Sequence, residues 1–320
     1  MQTARQPSLL SQLARLAWAL LCLSAVASLA SAEQIINQSF AGSTTPVGWV
    51  VQGMSGSTAM TATDFYGVHG GRNSLRLTSE VANQRASAYY TATTFNARSF
   101  TLTASIYVAG TSPNNHGDGL TFSFLDATPG GPLYHNGGLN NALLLGAGGD
   151  FNGSPRGELG ALTYSTVTGL HGFNFEFDDH RNTGEGSGEY TELVNVSDWS
   201  HLEYTEHDYA TDSHFYYDSG WEQVQLRAYD GQMYFYWNYA NGVYANSYQF
   251  AQPASFNYTN TLFGVTGATG ALAANHWVDD VSLENSGAGV PEPGSLVLYG
   301  LIGLGLPWLR RRKVRAASEA

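Results

Sequence analysis

The segment from residue 172 to 182, Gly-Phe-Asn-Phe-Glu-Phe-Asp-Asp-His-Arg-Asn, combines carboxylates and amides at a spacing that could hold a metal ion. Side chains alternate along an extended strand, so Glu176 and Asp178 share one face and the phenylalanines occupy the other. The two neighbouring carboxylates would repel each other without a bound cation. Oxygens from Asp178, the His180 backbone carbonyl and the Asn182 side chain are of the kind that Ca²⁺ prefers. The pattern therefore predicts a calcium site at the end of a strand.

The elements around this segment are predicted to be half-buried antiparallel strands. Short alternating segments rich in Tyr, Phe, Val and Thr are separated by Gly, Asn and Asp, and there are no heptads. Asp230-Gly231 predicts a tight hairpin. Three stretches, 127–156, 181–197 and 206–220, resist strand assignment and are expected to be functional loops. We expect an all-β antiparallel sandwich with strands at 74–79, 86–91, 99–108, 120–125, 172–177, 223–229, 233–237 and 277–283.

The first 32 residues have the features of a secretory signal peptide. Arg5 and Arg15 are followed by an apolar stretch, 16–29, and by the small residues Ala-Ser-Ala at 30–32. This order predicts a signal helix and cleavage before Glu33.

The C-terminal end predicts a second targeting segment. Val-Pro-Glu-Pro at 290–293 precedes an apolar stretch, 295–309, which four basic residues at 310–313 close. Fifteen residues are short for a membrane crossing, but the basic cluster is a stop-transfer signal, so we expect a transmembrane helix there. The arrangement resembles the PEP-CTERM sorting signal of Gram-negative bacteria that make exopolysaccharide. The resemblance implies cleavage near residues 291–293 by an exosortase-type protease; a simple tail anchor is the alternative.

These ends define the expected organisation and location. We expect a signal peptide at 1–32, one sandwich domain at 33–287 and the sorting signal at 288–320. The protein would pass through the inner membrane, be anchored transiently by 295–309, and reach the cell surface or extracellular matrix. Because Cys22, the single cysteine, lies in the signal peptide, the mature chain has no disulfide.

Charge excludes two classes of partner. Seven of the 14 basic residues and two of the 26 acidic residues lie in the terminal signals, which leaves seven Arg, no Lys, 24 acidic residues and a formal charge near −17. Such a surface repels nucleic acid and anionic membranes. A neutral sugar or a divalent cation remains acceptable, and a membrane contact is expected only through the C-terminal segment before processing.

Several motifs resemble those of L-type, legume-lectin-like lectins. Phe-Glu-Phe-Asp at 175–178 with Asn182 is similar to the family's V-E-F-D-x-x-x-N segment. Gly-Asp-Gly-Leu-Thr-Phe at 117–122 resembles A-D-G-L-A-F, Arg-Gly-Glu-Leu-Gly at 156–160 resembles G-G-x-L-G-L, and residues 263–270 with His276 resemble a late G-F-S-A-x-T-G … H segment.

The resemblance implies a concanavalin-like jelly roll that binds carbohydrate and has no catalytic residues. The resemblance also implies Ca²⁺ as the cofactor, and the expected partner is a saccharide or exopolysaccharide. In the family, the aspartate accepts hydrogen bonds from sugar hydroxyls, a glycine amide meets the sugar, and the asparagine serves both sugar and calcium. By resemblance the sugar site comprises Asp118, Gly157, Asn182, Ala268 and Thr269, and the metal site Glu176, Asp178, His180 through its carbonyl, and Asn182.

A second, transition-metal ion such as Mn²⁺ is also implied, although the sequence departs from the family here. The family has an aspartate and a histidine soon after the asparagine. The best matches in this chain, Asp198 and His201, follow a longer gap, and Glu185 or Glu189 could replace Asp198. If His201 is an ordinary histidine, one calcium and no transition metal are expected.

Two other functions remain open from the sequence. Laminarinase-type glycosidases share the jelly roll and carry an E-x-D-x-x-E strand with paired glutamates. Glu176 and Asp178 match its first half, but Arg181 occupies the position of the second glutamate. The other alternative is a structural matrix or adhesion protein that has this fold without a working sugar site.

Overall fold

The computed structural model describes residues 32–42, 44–55, 58–110, 119–129, 131, 134–135, 138–139, 171–178, 189–196, 201–207, 220–238, 244–254, 256–270 and 273–285. The chain divides into a compact unit, Glu33–Asn285, and a second unit formed by Met1–Ala32 and Ser286–Ala320. The expected signal helix and the expected transmembrane helix at 295–309 lie outside the described residues. Within the described part, no helix has the length and apolar character needed to span a membrane.

The described residues form 18 strands and two short 3-10 turns, Ala62–Asp64 and Tyr258–Asn260. The strands are β1 Glu33–Gln38, β2 Trp49–Ser55, β3 Thr58–Ala59, β4 Tyr66–His69, β5 Arg72–Thr78, β6 Gln84–Phe95, β7 Phe100–Gly110, β8 Gly119–Asp126, β9 Tyr134–His135, β10 Gly138–Leu139, β11 Gly172–Asp178, β12 Glu189–Asn195, β13 His201–His207, β14 Glu222–Tyr229, β15 Gln232–Asn238, β16 Tyr244–Ala251, β17 Thr261–Thr269 and β18 Ala274–Asn285.

Two eight-stranded antiparallel sheets contain nearly all of these strands. Sheet A has the order β16-β15-β14-β7-β18-β5-β4, and β1 also pairs with β18. Sheet B has the order β13-β12-β11-β8-β17-β6-β2-β3. The prediction of an all-β antiparallel sandwich is confirmed.

Aromatic side chains between the two sheets form the centre of the core. Phe173, Phe175 and Phe177 of β11 are fully buried, as the alternation of the sequence predicts. The ring of Phe175 lies 4.9 Å from that of Phe235 and 5.4 Å from that of Phe250, both on sheet A. Burial of a phenylalanine side chain contributes about 1.5–3 kcal/mol. This packing fixes β11 with its polar residues on the opposite, outer face of sheet B.

The predicted Asp-Gly hairpin is present between β14 and β15. Asp230 has φ 52° and Gly231 has φ 76°, and the flanking residues Tyr229 and Gln232 pair directly. Positive φ at both central residues matches the right-handed twist of the two strands.

The prediction of a loop over residues 181–197 is wrong for its second half. Glu189–Asn195 forms β12, which pairs with β11 on one side and β13 on the other. The Gly-rich segment directly before it favoured a loop assignment, and the strand reads Glu-Tyr-Thr-Glu-Leu-Val-Asn, which has a weak hydrophobic alternation. Its position beside β11 supplies the pairing that the local sequence does not indicate.

Candidate functional site

Three strands of sheet B bring predicted site positions to one end of the sheet. Asp178, the last residue of β11, pairs with Gly119, the first residue of β8. Ala268 of β17 pairs with the same Gly119 from the other side. Adjacent strands lie about 4.7–4.9 Å apart, so these backbones form one short row.

The glycine at the centre of this row is required by its backbone. Gly119 has φ 129°, a conformation that residues with a side chain rarely adopt. It begins the strand directly after Asp118, the predicted sugar ligand, which lies outside the described residues. A side chain at residue 119 would therefore strain the entry into β8.

A buried carboxylate lies two residue pairs further along the sheet, on the same face. Glu176 is 0% exposed, and its Oε1 accepts a hydrogen bond of 3.1 Å from Nδ2 of Asn174. Its cross-strand neighbour Thr121 and the next residue in the row, Thr266, are also fully buried. A carboxylate in such a place is stable only with a compensating cation, proton or set of donors. The chemistry of this position fits a metal ion close to the strand end.

A second glutamate, Glu192, occupies the position directly opposite Glu176 on β12. Like charges in directly opposed positions destabilise an antiparallel pair. The pairing places a second acidic residue at the level of Glu176 on the neighbouring strand. Sequence reasoning missed Glu192 because it treated this stretch as a loop, and the weak hydrophobic alternation of the segment did not indicate a strand.

The structure does not bring His201 beside the end of β11. His201 pairs with Val194 of β12, which in turn pairs with Asn174. His201 is thus two strands away from β11, and its partner position on β11, Asn174, is four residues before Asp178. The Cα atoms of His201 and Asp178 are therefore roughly 16 Å apart. This separation is large for two ligands of one ion.

Arg85 lies in the same cross-strand row as Asp178. It pairs with Ala268, and it is 3% exposed. Burial lowers the pKa of Arg85 to about 10, so the guanidinium remains charged at neutral pH. No sequence pattern indicated this residue, because its place at the site depends on the pairing of β6 with β17.

Thr269, a predicted sugar ligand, has a structural role for its hydroxyl group. The hydroxyl donates to the carbonyl of Val81 at 2.8 Å and accepts from the amide of Gln84 at 2.9 Å. Both Ala268 and Thr269 are fully buried. These contacts hold the loop before β6 against the end of β17.

The other predicted ligands fall outside what the structure describes. These are Gly157, His180, Asn182, Asp198 and the alternative residue Glu185, together with the side chains of Asp178, Glu189 and His201. Among the side chains that are described, no group of three or more His, Cys, Asp or Glu residues is arranged to hold a metal ion.

The chain has the concanavalin-like β-sandwich fold of legume and L-type lectins. No family model and no curated protein sequence matches it. Among solved structures it is similar to a lectin from Bauhinia forficata in complex with GalNAc, with a TM-score of 0.51 and 15% identity over 80% of this chain and 100% of that one. It is also similar to the exoplasmic/lumenal domain of VIP36 in a Ca²⁺-bound form, with a TM-score of 0.50 and 16% identity over 81% and 92% of the two chains. A Ca²⁺/Man2-bound form of VIP36 gives a TM-score of 0.50 and 15% identity over 82% and 91%.

Proposed function

We propose that the protein is an exported, calcium-dependent lectin that binds a saccharide or exopolysaccharide at the cell surface or in the extracellular matrix. The observation that carries this proposal is the pairing of Asp178 and Ala268 with the two sides of Gly119. Solved structures of the same fold include a lectin in complex with GalNAc and a domain with bound Ca²⁺ and Man2. The fold and the row of site positions support the same conclusion.

Chain connectivity supports a sugar pocket at this row. Asp118 precedes Gly119, so their Cα atoms are about 3.8 Å apart, and an antiparallel pair adds at most about 5.5 Å to Asp178. The Cα atoms of Asp118 and Asp178 therefore lie within about 9 Å of each other. Sugar hydroxyls need acceptors and donors together, which the Asp118 carboxylate, the Asn182 amide and the Gly157 backbone N–H would supply.

The metal would be held by Asp178, the His180 carbonyl and Asn182, with Glu176 beside them. A bound Ca²⁺ would hold the Asn182 loop in place before the sugar arrives, which lowers the ordering cost of binding. The burial of Glu176 and its pairing with Glu192 support a cation here. For a second ion such as Mn²⁺, Glu192 is nearer than His201 to Glu176 in the strand register, because it is directly opposite.

The proposal is of a binding protein without catalytic activity. The described structure gives Glu176 a buried position and a hydrogen bond from Asn174. The second glutamate of the glycosidase pattern is replaced by Arg181, which cannot act as a proton donor at neutral pH. Release of reducing sugar from β-glucans by the purified protein would contradict this part of the proposal.

Export and processing are proposed from the two terminal segments. The mature protein would begin at Glu33 and end near residues 291–293 after cleavage by an exosortase-type protease. Intact-mass measurement on protein released by the producing cells tests both ends. A chain that retains residues 295–309 would support the tail anchor instead.

A glycan array run with calcium and again with chelator tests the site. We expect calcium-dependent binding in the wild type and loss of at least ten-fold in affinity in Asp178→Asn. The matched control is Asp230→Asn, which makes the same chemical change in the exposed hairpin of sheet A, where Asn also tolerates positive φ. The control should bind as the wild type does.

Thermal unfolding provides a second measurement on the same proteins. Calcium at 100 times its dissociation constant stabilises the folded state by about 2.7 kcal/mol. For a domain of this size the melting temperature should rise by about 5–10 °C, and Asp178→Asn should remove most of the rise. Calcium stabilisation without glycan binding would favour the structural matrix protein, and the absence of both effects would refute the proposed site.

A further inference from the structure

The outer face of sheet A carries a group of tyrosine side chains that the proposed lectin site does not use. Tyr229 is 41% exposed, and its ring stacks on that of Tyr234 at 4.6 Å with an interplanar angle of 15°. Tyr236 lies two residues further along β15 on the same face, and the guanidinium of Arg227 lies 5.5 Å from its ring centre. Tyr229, Tyr234 and Tyr236, with Arg227 and Gln225, are here called the tyrosine platform.

Strand register explains why these residues share one surface. Arg227 pairs with Tyr234, and Gln225 pairs with Tyr236 on one side and Thr103 on the other. The alternate residues of the same strands, such as Leu226 and Phe235, are buried in the core. The core therefore fixes the tyrosines outward, and the contact with Arg227 limits the rotation of the Tyr236 ring.

A polar group within the platform has an unmet hydrogen-bonding capacity. Gln225 is 6% exposed, and its Oε1 has no hydrogen-bond donor among the described residues. It lies between Tyr236 and Thr103 at the floor of the platform. A buried amide oxygen without a donor costs about 1–3 kcal/mol. A ligand hydroxyl that reaches Gln225 would remove that cost.

The chemistry of this face favours a sugar chain over a protein partner. The outward residues of β14 and β15 from Gln223 to Tyr236 are Gln, Arg and Tyr, and no aliphatic side chain is among them. Protein interfaces bury an apolar centre, whereas flat rings beside amides match the apolar faces and hydroxyl edges of sugar rings. Arg227 is the one cation of the platform on a chain with net negative charge, so an acidic polymer would be repelled.

We propose that the tyrosine platform binds an extended, neutral polysaccharide whose sugar rings lie on Tyr229, Tyr234 and Tyr236. Tyr229 is exposed, and the register places Tyr234 and Tyr236 beside it on the same face, so consecutive sugars can follow the three rings. Affinity should therefore increase with the length of the oligosaccharide. Binding needs no metal, because rings and an amide provide the contacts.

Affinity electrophoresis of the full chain through gels that contain a neutral polysaccharide tests the proposal. The probes are a mixed-linkage β-glucan, a glucomannan, a xylan and a soluble starch, each run with EGTA so that a calcium-dependent site is silent. We expect retardation by at least one probe. Tyr229→Ala with Tyr236→Ala should reduce the association constant at least ten-fold, whereas the corresponding double Phe variant, which keeps the rings, should stay within about three-fold of the wild type.

The controls separate this surface from the other possibilities. Circular dichroism and thermal unfolding of both double variants verify that each is folded; if the Ala variant is not, Tyr229→Ala alone replaces it, since that side chain is the most exposed of the three. No retardation by any probe in EGTA would overturn the proposal, as would equal loss in the Ala and Phe variants. An alginate gel serves as the acidic comparison, and retardation by alginate without retardation by any neutral probe would also overturn the proposal. So would a wild-type dimer in light scattering that becomes a monomer in the Ala variant while glycan binding is unchanged. Because the assay contains EGTA, failure of the calcium site would leave its outcome unchanged.

Discussion

Replacing Gly264 by alanine would place a methyl group inside the space of the Tyr89 ring. Gly264 of β17 pairs directly with Tyr89 of β6, and an added Cβ would lie 2.3 Å from Cδ1 and 2.4 Å from Cε1 of that ring. The ring is fully buried, and its hydroxyl donates to Oγ of Ser123 at 2.7 Å. The ring cannot move away without breaking this hydrogen bond or displacing β17.

The expected loss of stability follows from these contacts. Overpacking of a buried site costs about 1–3 kcal/mol, and the loss of one buried hydrogen bond adds about 0.5–1.5 kcal/mol. Gly264→Ala should therefore lower the free energy of unfolding by about 2–4 kcal/mol. For a domain of about 250 residues this lowers the melting temperature by roughly 4–16 °C.

Urea unfolding of four variants tests the reasoning. Gly42→Ala is the matched control, because a Cβ there meets nothing closer than 3.9 Å, and it should stay within about 0.5 kcal/mol of the wild type. In a Tyr89→Ala background the space is open, so Gly264→Ala should cost at least about 1 kcal/mol less than in the wild type. An unchanged cost in that background, or a cost below about 0.5 kcal/mol in the wild type, would refute the account.

Three further predictions concern individual side chains. Asp280→Asn removes the surface ion pair with Arg72, in which the two charged atoms are 3.1 Å apart and the Asp280 and Arg72 side chains are 48% and 40% exposed. The free energy of unfolding, measured by urea unfolding, should fall by less than about 1 kcal/mol at low salt and by less still in 1 M NaCl. Burial raises the pKa of the Tyr89 hydroxyl. The contribution of this group to folding stability is therefore complete below the ordinary pKa of 10.0 and is lost as pH rises above it. Tyr89→Phe should reduce the loss of stability at alkaline pH, measured by urea unfolding. Burial lowers the pKa of His69, whose ring stacks on that of Trp277 at 5.4 Å. The contribution of this group to folding stability is therefore present above pH 6.5 and is lost as pH falls below it. His69→Phe should reduce the decrease in melting temperature between pH 7 and pH 5.

Local patterns were sufficient to predict much of the fold. β11 alternates phenylalanine with polar residues, and the Asp230-Gly231 turn carries the positive φ that its residue types favour. Both features are local, so the sequence is informative there. β17, by contrast, is buried on both faces and includes Gly264, so it shows no alternation that would define a strand.

The candidate site was predictable in part, for a different reason. Asp178 and Ala268 are far apart in the sequence, and only the pairing of both with Gly119 shows that they meet. Arg85 and Glu192 join the same region through pairings that no local pattern specifies. Motif order could indicate which residues belong to a site, whereas strand register was needed to identify their neighbours.

The two outer faces of the sandwich differ in a property that decides how ligands can bind. On sheet B the polar side chains of Thr121, Asn174 and Glu176 are fully buried, so among the described residues the candidate site lies at the strand ends and not on these side chains. On sheet A the ring of Tyr229 is exposed along its strand, so a ligand can lie across the face itself. The first geometry suits one or two sugars held at a point, and the second suits a chain held along a line. Binding to short glycans should therefore depend on calcium and not on chain length, whereas binding to long neutral glycans should depend on chain length and survive chelation.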